Sequence, residues 1–243
     1  MIKSILKYYY RIKLSAWAYA RLPKRVTIAT TNVTIPSRNW MFAIPARIET
    51  SKICYRGHRR DSAQFWYEPT EYEHFIRIIK NKSNFFDVGS NIGWYSYLAA
   101  ANGCSLITAF EFMKEYAAFT ESNFRYNGIK GRVINRGVGK PRKSERYSDP
   151  LAHISGELIS LDEYARKNNS YPDVMKMDIE GFELDALKNA HNILLRRPAL
   201  DISIHPKYLK DRGQSAEEVL ALLAGYGYKI MWEGGDTYFM VCE

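Results

Sequence analysis

The sequence predicts an α/β fold in which a parallel sheet is covered by helices on both faces and follows a smaller N-terminal extension. From residue 84 onward, short apolar runs alternate with amphipathic stretches, the pattern of repeated βα units. The 243 residues are 46% apolar and 25% charged, as in an ordinary folded protein with a buried core. No apolar run approaches the roughly 18 residues that a membrane-spanning helix needs. In such sheets, ligands bind at the carboxyl ends of the strands.

The individual elements follow from the change between apolar runs and helical periodicity. Strands are expected at residues 85–88, 106–110, 132–138, 173–177 and 199–204, where apolar runs are bounded by polar residues. Helices are expected at residues 71–82, 92–101, 114–126, 183–195 and 216–226, where apolar residues recur at helical spacing. A polar loop fills residues 139–155, and a short extended piece follows at 158–161. Two last strands, 228–232 and 237–241, flank Glu233-Gly234-Gly235-Asp236, which indicates a hairpin.

The N-terminal extension, residues 1–64, differs in charge from the domain at 65–243. Residues 1–60 carry thirteen Lys and Arg and one acid, a net +12, whereas the remainder carries 22 basic and 25 acidic groups, a net −3. Such a basic segment either contacts an anionic surface (lipid headgroups, polyphosphate or nucleic acid) or is a solvated face. Residues 2–19 have the spacing of an amphipathic helix that lies on a membrane or packs on its own domain. Residues 26–60 predict a small β-rich piece.

The three cysteines, Cys54, Cys104 and Cys242, are odd in number and widely spaced. This spacing excludes a disulfide framework and a CxxC zinc site, and it fits a reducing compartment. We therefore expect a soluble cytoplasmic protein, with peripheral membrane contact through the basic N-terminus as an alternative.

The segment Phe86-Asp87-Val88-Gly89-Ser90-Asn91-Ile92-Gly93 lies where a strand turns into a helix. Gly89 and Gly93 allow a tight bend and the close approach of a ligand to the backbone. Their G-x-x-x-G spacing differs from the G-x-G-x-x-G of a pyrophosphate-binding turn. Asp87 would repel a diphosphate but suits a cationic ligand such as S-adenosylmethionine, which bears a sulfonium and an ammonium group. The alternative is a tight strand–helix turn in an unrelated α/β protein.

Acidic residues end two further strands. Glu111 comes eighteen residues after Gly93, where a carboxylate can accept hydrogen bonds from both hydroxyls of a ribose. Together with the glycine turn, it indicates an adenosine-containing ligand. Asp178 and Glu180 follow the strand at 173–177 and are candidates for holding a substrate hydroxyl or the cofactor's amino group. Glu183 is interpreted as a helix-start residue, because acids are favoured there by the helix dipole.

His205 ends the strand at 199–204 and precedes Pro206. A lone histidine is more often structural than catalytic. This one lies at the same edge of the sheet as the acidic strand end, which makes it a candidate catalytic residue.

Four motifs, taken together, resemble the FkbM family of S-adenosylmethionine-dependent methyltransferases. They are DVGSNIGWYS at 87–96, AFEF at 109–112, MKMDIEGFELDALKNA at 175–190 and IHP at 204–206. The resemblance covers residues 65–242. It implies the class I methyltransferase fold, a Rossmann-like seven-stranded sheet with helices on both faces whose last strand is antiparallel. It also implies O-methylation of sugars or of other secondary-metabolite hydroxyls.

The resemblance implies which residues bind the cofactor. Those assigned to S-adenosylmethionine are Asp87, Gly89, Asn91 and Gly93 on the methionine side, Glu111 at the ribose, and also Ser90, Phe112 and Asp178. Its catalytic edge is Asp178, Glu180 and His205, with His205 as the base. The chain departs from the family pattern at residues 135–138, which lack the acid often seen at the end of the third strand, and at Asp201 and Ser203 before the histidine.

We therefore expect methyl transfer to a hydroxyl of a sugar or glycan, which can be lipid-linked or nucleotide-linked. A neutral imidazole at its usual pKa of about 6.5 would take the hydroxyl proton. Trp66, Tyr67, Trp94 and Tyr95 are candidates for stacking on the sugar, or for simple packing.

Several alternatives stay open. They are a ribose or RNA O-methyltransferase, a methyltransferase of a non-sugar hydroxyl, and a non-catalytic cofactor-binding or membrane-associated module. Nucleic acid is disfavoured because an acidic crevice suits a phosphate chain poorly. A divalent metal held by Asp178, Glu180, Asp201 and His205 fits such an oxygen-rich set of donors, but the spacing is not diagnostic and we favour a site without metal.

Overall fold

The computed structural model describes residues 30–35, 38–43, 69–141, 147–149 and 154–242. The helix expected at 2–19, much of the β-rich piece at 26–60, and the aromatic residues Trp66 and Tyr67 lie outside the described residues. Within that piece, strands β1 (Thr30–Ile35) and β2 (Arg38–Ala43) form an antiparallel hairpin. None of the helices in the described ranges is long and apolar enough to cross a membrane.

The described part of the main domain contains eleven further strands and eight helices. The strands are β3 (Asn84–Val88), β4 (Leu106–Phe110), β5 (Gly131–Ile134), β6 (Gly137–Val138), β7 (Tyr147–Asp149), β8 (Ile154–Gly156), β9 (Leu158–Ile159), β10 (Val174–Met177), β11 (Ala199–Ser203), β12 (Tyr228–Gly234) and β13 (Thr237–Cys242). The helices are α1 (Pro69–Ile79), α2 (Trp94–Ala101), α3 (Lys114–Asn127), α4 (Leu161–Asn168), α5 (Glu183–Lys188), α6 (His191–Leu194), α7 (Pro206–Asp211) and α8 (Ala216–Gly225).

Seven of the described strands form one sheet in the order β12-β13-β11-β10-β3-β4-β5. The five strands from β11 to β5 run parallel, and β13 is antiparallel to both of its neighbours. The last strand is thus inserted between β12 and β11. This order confirms the class I methyltransferase fold, and it brings the carboxyl ends of β3, β4, β10 and β11 to one edge.

The core lies on both faces of this sheet. Phe85 and Phe86 are neighbours on β3 and both are fully buried, yet they belong to two separate apolar clusters. Successive strand residues point to opposite faces, so both faces must be covered. This double cover explains why the parallel strands are continuous apolar runs that the sequence reveals.

Two expected elements are broken in the structure. The strand expected at 132–138 ends at Ile134, where the amide of Arg136 turns back to the Ile134 oxygen at 2.8 Å, and β6 pairs with β9 instead. The helix expected at 183–195 is divided into α5 and α6. Asp162 causes this break, because its carboxylate accepts hydrogen bonds from the amides of Asn192 and Ile193 and so starts a new helix.

Other elements were not expected. The extended piece at 158–161 gives way to α4, whose first turn is capped by the Ser160 hydroxyl at 3.3 Å from the Glu163 amide. The six-residue helix α7 begins at Pro206, directly after His205. Strands β7 and β8 pair within the segment expected to be a loop at 139–155.

Candidate active site

The turn between β3 and α2 is in direct contact with the chain that leaves β10. Gly89 has φ +83°, and a Cβ placed on it would lie 1.9 Å from the backbone oxygen of Asp178. Only glycine permits both this backbone conformation and this approach. The Asp178 amide also donates to the Val88 oxygen at 2.9 Å. The glycine turn and the acidic strand end are therefore parts of one site.

Glu111 links the end of β4 to the same turn. Its carboxylate accepts hydrogen bonds from the amides of Asn91 and Met113, each at 2.7 Å. Burial raises the pKa of Glu111 to about 7, although these two amides lower it. Each carboxylate oxygen retains a further lone pair. Glu111 thus lies where the ribose was expected, and its ribose contact stays a prediction.

Asp87 lies inside the protein at the end of β3. It is 1% exposed, and its Oδ2 accepts hydrogen bonds from the Ser96 amide at 3.0 Å and the Ser96 hydroxyl at 2.6 Å. Burial raises the pKa of Asp87 to about 6, against the Ser96 hydrogen bonds and the charge of Lys176, which lower it. Asp87 therefore holds the first turn of α2 and places a carboxyl group next to the glycine turn.

Phe112 and Asn135 stabilise the backbone that follows β4. A Cβ on Gly137 or on Gly156 would lie 2.7 or 2.6 Å from the Phe112 ring, so this ring packs on the backbone of β6 and β8. The Asn135 side chain donates to the backbone oxygens of Glu111 and Phe112 at 2.9 and 3.1 Å. The Asn135 side chain therefore fixes the backbone that carries these two residues.

The loop after β10, which carries Asp178 and Glu180 and is called the acidic loop below, turns back toward β11. Glu180 has φ +54°, an unfavourable conformation for a residue with a side chain. A Cβ on the next residue, Gly181, would lie 2.5 Å from Cβ of Tyr208, so the loop packs directly on α7. In this conformation Oε2 of Glu180 lies 3.7 Å from Nε2 of His205. Backbone strain at such a position is typical of functional sites.

His205 is held by the buried carboxylate of Glu183. Its Nδ1 lies 2.8 Å from Oε1 of Glu183, and the Gly181 amide donates to the same oxygen at 2.9 Å. Glu183 has no solvent exposure. Glu183 is the first residue of α5, as expected, and it also holds the histidine. With Nδ1 fixed, Nε2 faces Asp178 Oδ1 at 3.6 Å and the Glu180 carboxylate.

The charges around His205 change its protonation. Burial alone would lower its pKa, but the hydrogen bond with Glu183 and the charges of Asp178 and Glu180 raise it to about 9. Burial also raises the pKa of Glu180. The free protein therefore carries an imidazolium here at neutral pH, whereas the sequence analysis expected an imidazole with its usual pKa. The reason is that three carboxylates converge on one ring.

Three other expected site residues are buried. Asp201 has no solvent exposure, and one of its oxygens lies 3.8 Å from Lys176 Nζ. Trp94 and Tyr95 are 6% and 4% exposed, which leaves no free ring face for a sugar. The aromatic side chain beside the site is Tyr208, whose ring centre lies 5.9 Å from that of His205. Sequence reasoning missed Tyr208 because it missed α7.

Three side chains at this edge could hold a metal ion. Asp178, Glu180 and His205 each offer one donor atom, and the three atoms lie within 4.8 Å of one another. Asp201, which the sequence analysis included in this set, does not belong to the group of described residues that could hold an ion. Two carboxylates and an imidazole suit a divalent cation. A metal on Nε2 would have to displace the proton that the same carboxylates retain.

The turn region fits a cationic adenosine ligand. The Ser90 hydroxyl is buried at 6% exposure and has no hydrogen-bond partner among the described residues, so it can bond to a ligand. Asp87 and Asp178 place negative charge next to the turn, and Glu111 has lone pairs for ribose hydroxyls. The residues that would hold S-adenosylmethionine are therefore the turn at 89–93 and Glu111.

Comparison with solved structures finds similar folds at low identity. The ribosomal protein L11 methylase from Lactobacillus delbrueckii subsp. bulgaricus is 16% identical, with a TM-score of 0.48 over 72% of this chain and 77% of that chain. The N-methyltransferase NodS from Bradyrhizobium japonicum WM9 is 12% identical, with a TM-score of 0.44 over 72% and 97%. M. capricolum TrmK, in complex with S-adenosyl-homocysteine, is 13% identical, with a TM-score of 0.41 over 70% and 66%.

No protein of curated function matches the sequence. The family model described as the methyltransferase FkbM domain matches residues 87–230, more than half of the chain. That range contains the glycine turn, Glu111, the acidic loop and His205. The chain therefore belongs to the FkbM methyltransferase domain family and is an S-adenosylmethionine-dependent methyltransferase.

Proposed function

We propose that the protein methylates a hydroxyl oxygen of a sugar or glycan. The observation that carries this proposal is the placement of His205. Its Nδ1 is held at 2.8 Å by the buried Glu183 carboxylate, and its Nε2 faces the carboxyl edge of the sheet beside Asp178 and Glu180. A hydroxyl becomes a good nucleophile only as its proton leaves, so a held proton acceptor at this edge suits O-methylation.

S-adenosylmethionine, when bound, supplies an electrophilic methyl group for in-line transfer to the acceptor oxygen. The residues of this chain orient the acceptor and move its proton. His205, in its neutral form, accepts the hydroxyl proton at Nε2 and becomes an imidazolium. Asp178 and Glu180 stabilise that cation, while Glu183 keeps the Nδ1 proton in place. Fixed orientation of this kind lowers the entropic part of the barrier.

The pKa of His205 near 9 sets a condition on this mechanism. His205 must first lose its own proton, so turnover in the proposed reaction rises toward alkaline pH. Any cation bound near Asp178 and Glu180 lowers this pKa, because it replaces the proton as their counter-charge. We therefore expect the histidine to titrate lower in the loaded enzyme than in the free protein.

The surroundings of His205 support a sugar acceptor. Asp178 and Glu180 can accept hydrogen bonds from sugar hydroxyls, and the half-buried Tyr208 ring lies beside His205, with Lys207 Nζ 5.0 Å from the ring centre. Negative charge at this edge disfavours a phosphate chain. The acceptor can still carry a lipid or nucleotide at its other end. The basic N-terminal residues 1–60 are proposed to contact an anionic membrane surface.

The test is transfer of labelled methyl from S-adenosylmethionine to a panel of acceptors: nucleotide sugars, lipid-linked oligosaccharides, RNA and amines. His205→Ala is expected to lower kcat on the sugar by about 10²- to 10⁴-fold and to leave cofactor affinity unchanged. His191→Ala is the matched control, since His191 lies away from this edge on α6 and pairs with Tyr226. Methylation of RNA or of an amine instead of a sugar hydroxyl would overturn the proposal.

A further inference from the structure

Three charged side chains stand in one row across the middle of the sheet. Asp87 on β3, Lys176 on β10 and Asp201 on β11 are register partners, so their side chains point to the same face. They are 1%, 3% and 0% exposed. Burying charges is costly unless they compensate one another, and an isolated buried lysine would be strongly destabilising. Apolar residues at these three positions would cost less free energy to bury. We therefore expect the charged residues to have a function besides filling the core.

Lys176 extends from this row to the acidic loop. Its Nζ lies 3.8 Å from Oδ1 of Asp201 and 3.7 Å from Oδ2 of Asp178, above the Tyr95 ring at 4.3 Å from its centre. The other oxygen of Asp178, Oδ1, lies 3.6 Å from Nε2 of His205. Asp178 thus bridges a buried lysine and the candidate base, with one oxygen directed to each.

Lys176 also acts on the cofactor side of the site. Burial raises the pKa of Asp87 to about 6, and the positive charge of Lys176 is one of the causes that lower it. An opposite charge nearby commonly shifts the pKa of a carboxyl group by 1 to 3 units. Without Lys176, Asp87 would hold its proton closer to neutral pH and would attract a cationic ligand less.

We propose that Lys176 is a positioning residue of the methyltransferase site. It orients Asp178 toward His205 and keeps Asp87 ionised next to the glycine turn. It is not a catalytic residue, since both effects pass through the two aspartates. The part that concerns Asp178 rests on the proposed function of His205, whereas the part that concerns Asp87 depends only on cofactor binding.

The test uses Lys176→Met and the double variant Lys176→Met/Asp201→Asn in the full chain. The single change leaves two buried acids without their cation, and this variant can fail to fold. The double change also removes one acid and so keeps the formal charge of the row at that of the wild type. Replacing a buried ion pair by uncharged groups of similar size is often tolerated. Lys167→Met is the matched control, since that lysine pairs with Glu163 at the surface.

Two readouts separate positioning from mere stabilisation. The first is the affinity for S-adenosylmethionine from pH 5 to pH 9, measured by calorimetry. Glu111 also titrates in this range, with its pKa raised to about 7, and it is present in every variant. In the folded double variant, the part of the acidic fall in affinity that Asp87 sets should therefore move up by about one pH unit relative to the wild type. The second is turnover at pH 9, where Asp87 is ionised in every variant. There we expect the affinity to equal that of the wild type and kcat to fall about tenfold or more.

A folded double variant with the wild-type pH profile of binding and wild-type kcat would overturn the proposal, because Lys176 would then only neutralise Asp201. Failure of the proposed hydroxyl methylation can be distinguished from failure of the role proposed for Lys176. If the wild-type protein methylates no hydroxyl, the kcat readout is lost, but the pH profile of cofactor binding still decides whether Lys176 controls Asp87.

Discussion

The Nδ1 atom of His205 lies 2.8 Å from Oε1 of Glu183, although the two residues are 22 positions apart in the chain. The Gly181 amide donates to the same carboxylate oxygen at 2.9 Å, and this second hydrogen bond fixes the orientation of the Glu183 side chain. Because one ring nitrogen is held inside the protein, the other is directed to the edge where Asp178 and Glu180 lie. The orientation of His205 therefore depends on a contact that is hidden from solvent.

Glu183→Gln should lower the pKa of His205 from its value of about 9. The amide keeps the size of the side chain but removes the buried negative charge that stabilises the imidazolium, so we expect a fall of about one unit or more. Titration of the histidine ring signals by NMR measures this change. Glu157→Gln is the control, since Glu157 is an exposed acid paired with Arg136. An unchanged pKa in Glu183→Gln would contradict the role given to Glu183.

The free protein should lose stability as the pH rises from 5 to 9. The pKa values of Asp87, Glu111 and His205 are raised to about 6, 7 and 9. A raised pKa means that the folded state binds the proton more tightly, so the stabilisation is complete below the unfolded pKa and is lost as the pH passes the folded pKa. For the two carboxyl groups the loss runs from about pH 4 to pH 7, and for the histidine from about pH 6.5 to pH 9.

Thermal unfolding across this pH range measures the effect. For each carboxyl group the change in the free energy of unfolding is on the order of 3 kcal/mol over its whole interval from about pH 4 to the folded pKa, of which about 1 to 3 kcal/mol falls above pH 5. His205→Gln should remove the part of the decline above pH 6.5 and leave the part below it. A melting temperature that rises steadily from pH 5 to pH 9 would show that these three groups do not dominate the pH dependence.

Gly89→Ala should damage the cofactor site far more than Gly103→Ala. Both glycines have positive φ, +83° and +91°, so both substitutions introduce backbone strain of about 1 kcal/mol. Only at Gly89 does the added Cβ collide with the backbone of Asp178, whereas at Gly103 no atom of the described residues lies within 4 Å of the added Cβ. Calorimetric titration with S-adenosylmethionine should show a loss of about tenfold or more in Gly89→Ala alone. Equal affinity in the two variants would mean that the contact between β3 and β10 does not shape the site.

Methyl transfer should survive removal of divalent metals. The donor atoms of Asp178, Glu180 and His205 are close enough for an ion, but Nε2 holds a proton at neutral pH that a metal must first displace. Turnover after exhaustive chelation, with and without added Mg²⁺ or Mn²⁺, measures the requirement. Loss of turnover on chelation, restored by Mn²⁺ in the wild type but not in Asp178→Asn, would assign these three residues to a metal centre instead.

Most of the fold was predictable because a parallel sheet buried on both faces leaves continuous apolar runs. The strand at residues 106–110 was predicted with its observed bounds, and that at 85–88 missed only Asn84. The helix α7 was missed because six residues are too few to show helical periodicity. The break between α5 and α6 was missed because its cause, the Asp162 carboxylate, lies 30 residues away.

Part of the candidate site was also predictable from the sequence. Asp178, Glu180 and His205 follow neighbouring parallel strands, and the carboxyl ends of such strands meet at one edge by rule. Lys176 had a signal that could have been used, since a lysine within an apolar strand must be compensated when it is buried. Glu183 had no comparable signal, because its histidine partner is distant in the chain.

The sequence by itself determined the α/β architecture, the family and the edge of the sheet that carries the candidate site, because periodicity and motif order are local properties of a chain. The tertiary structure alone decided which carboxylate holds His205, why its proton is retained, and how Lys176 connects the two aspartates. These depend on distances of a few ångströms between residues far apart in sequence and on their removal from water. Coulombic and desolvation energies are functions of that geometry, and no local pattern encodes it.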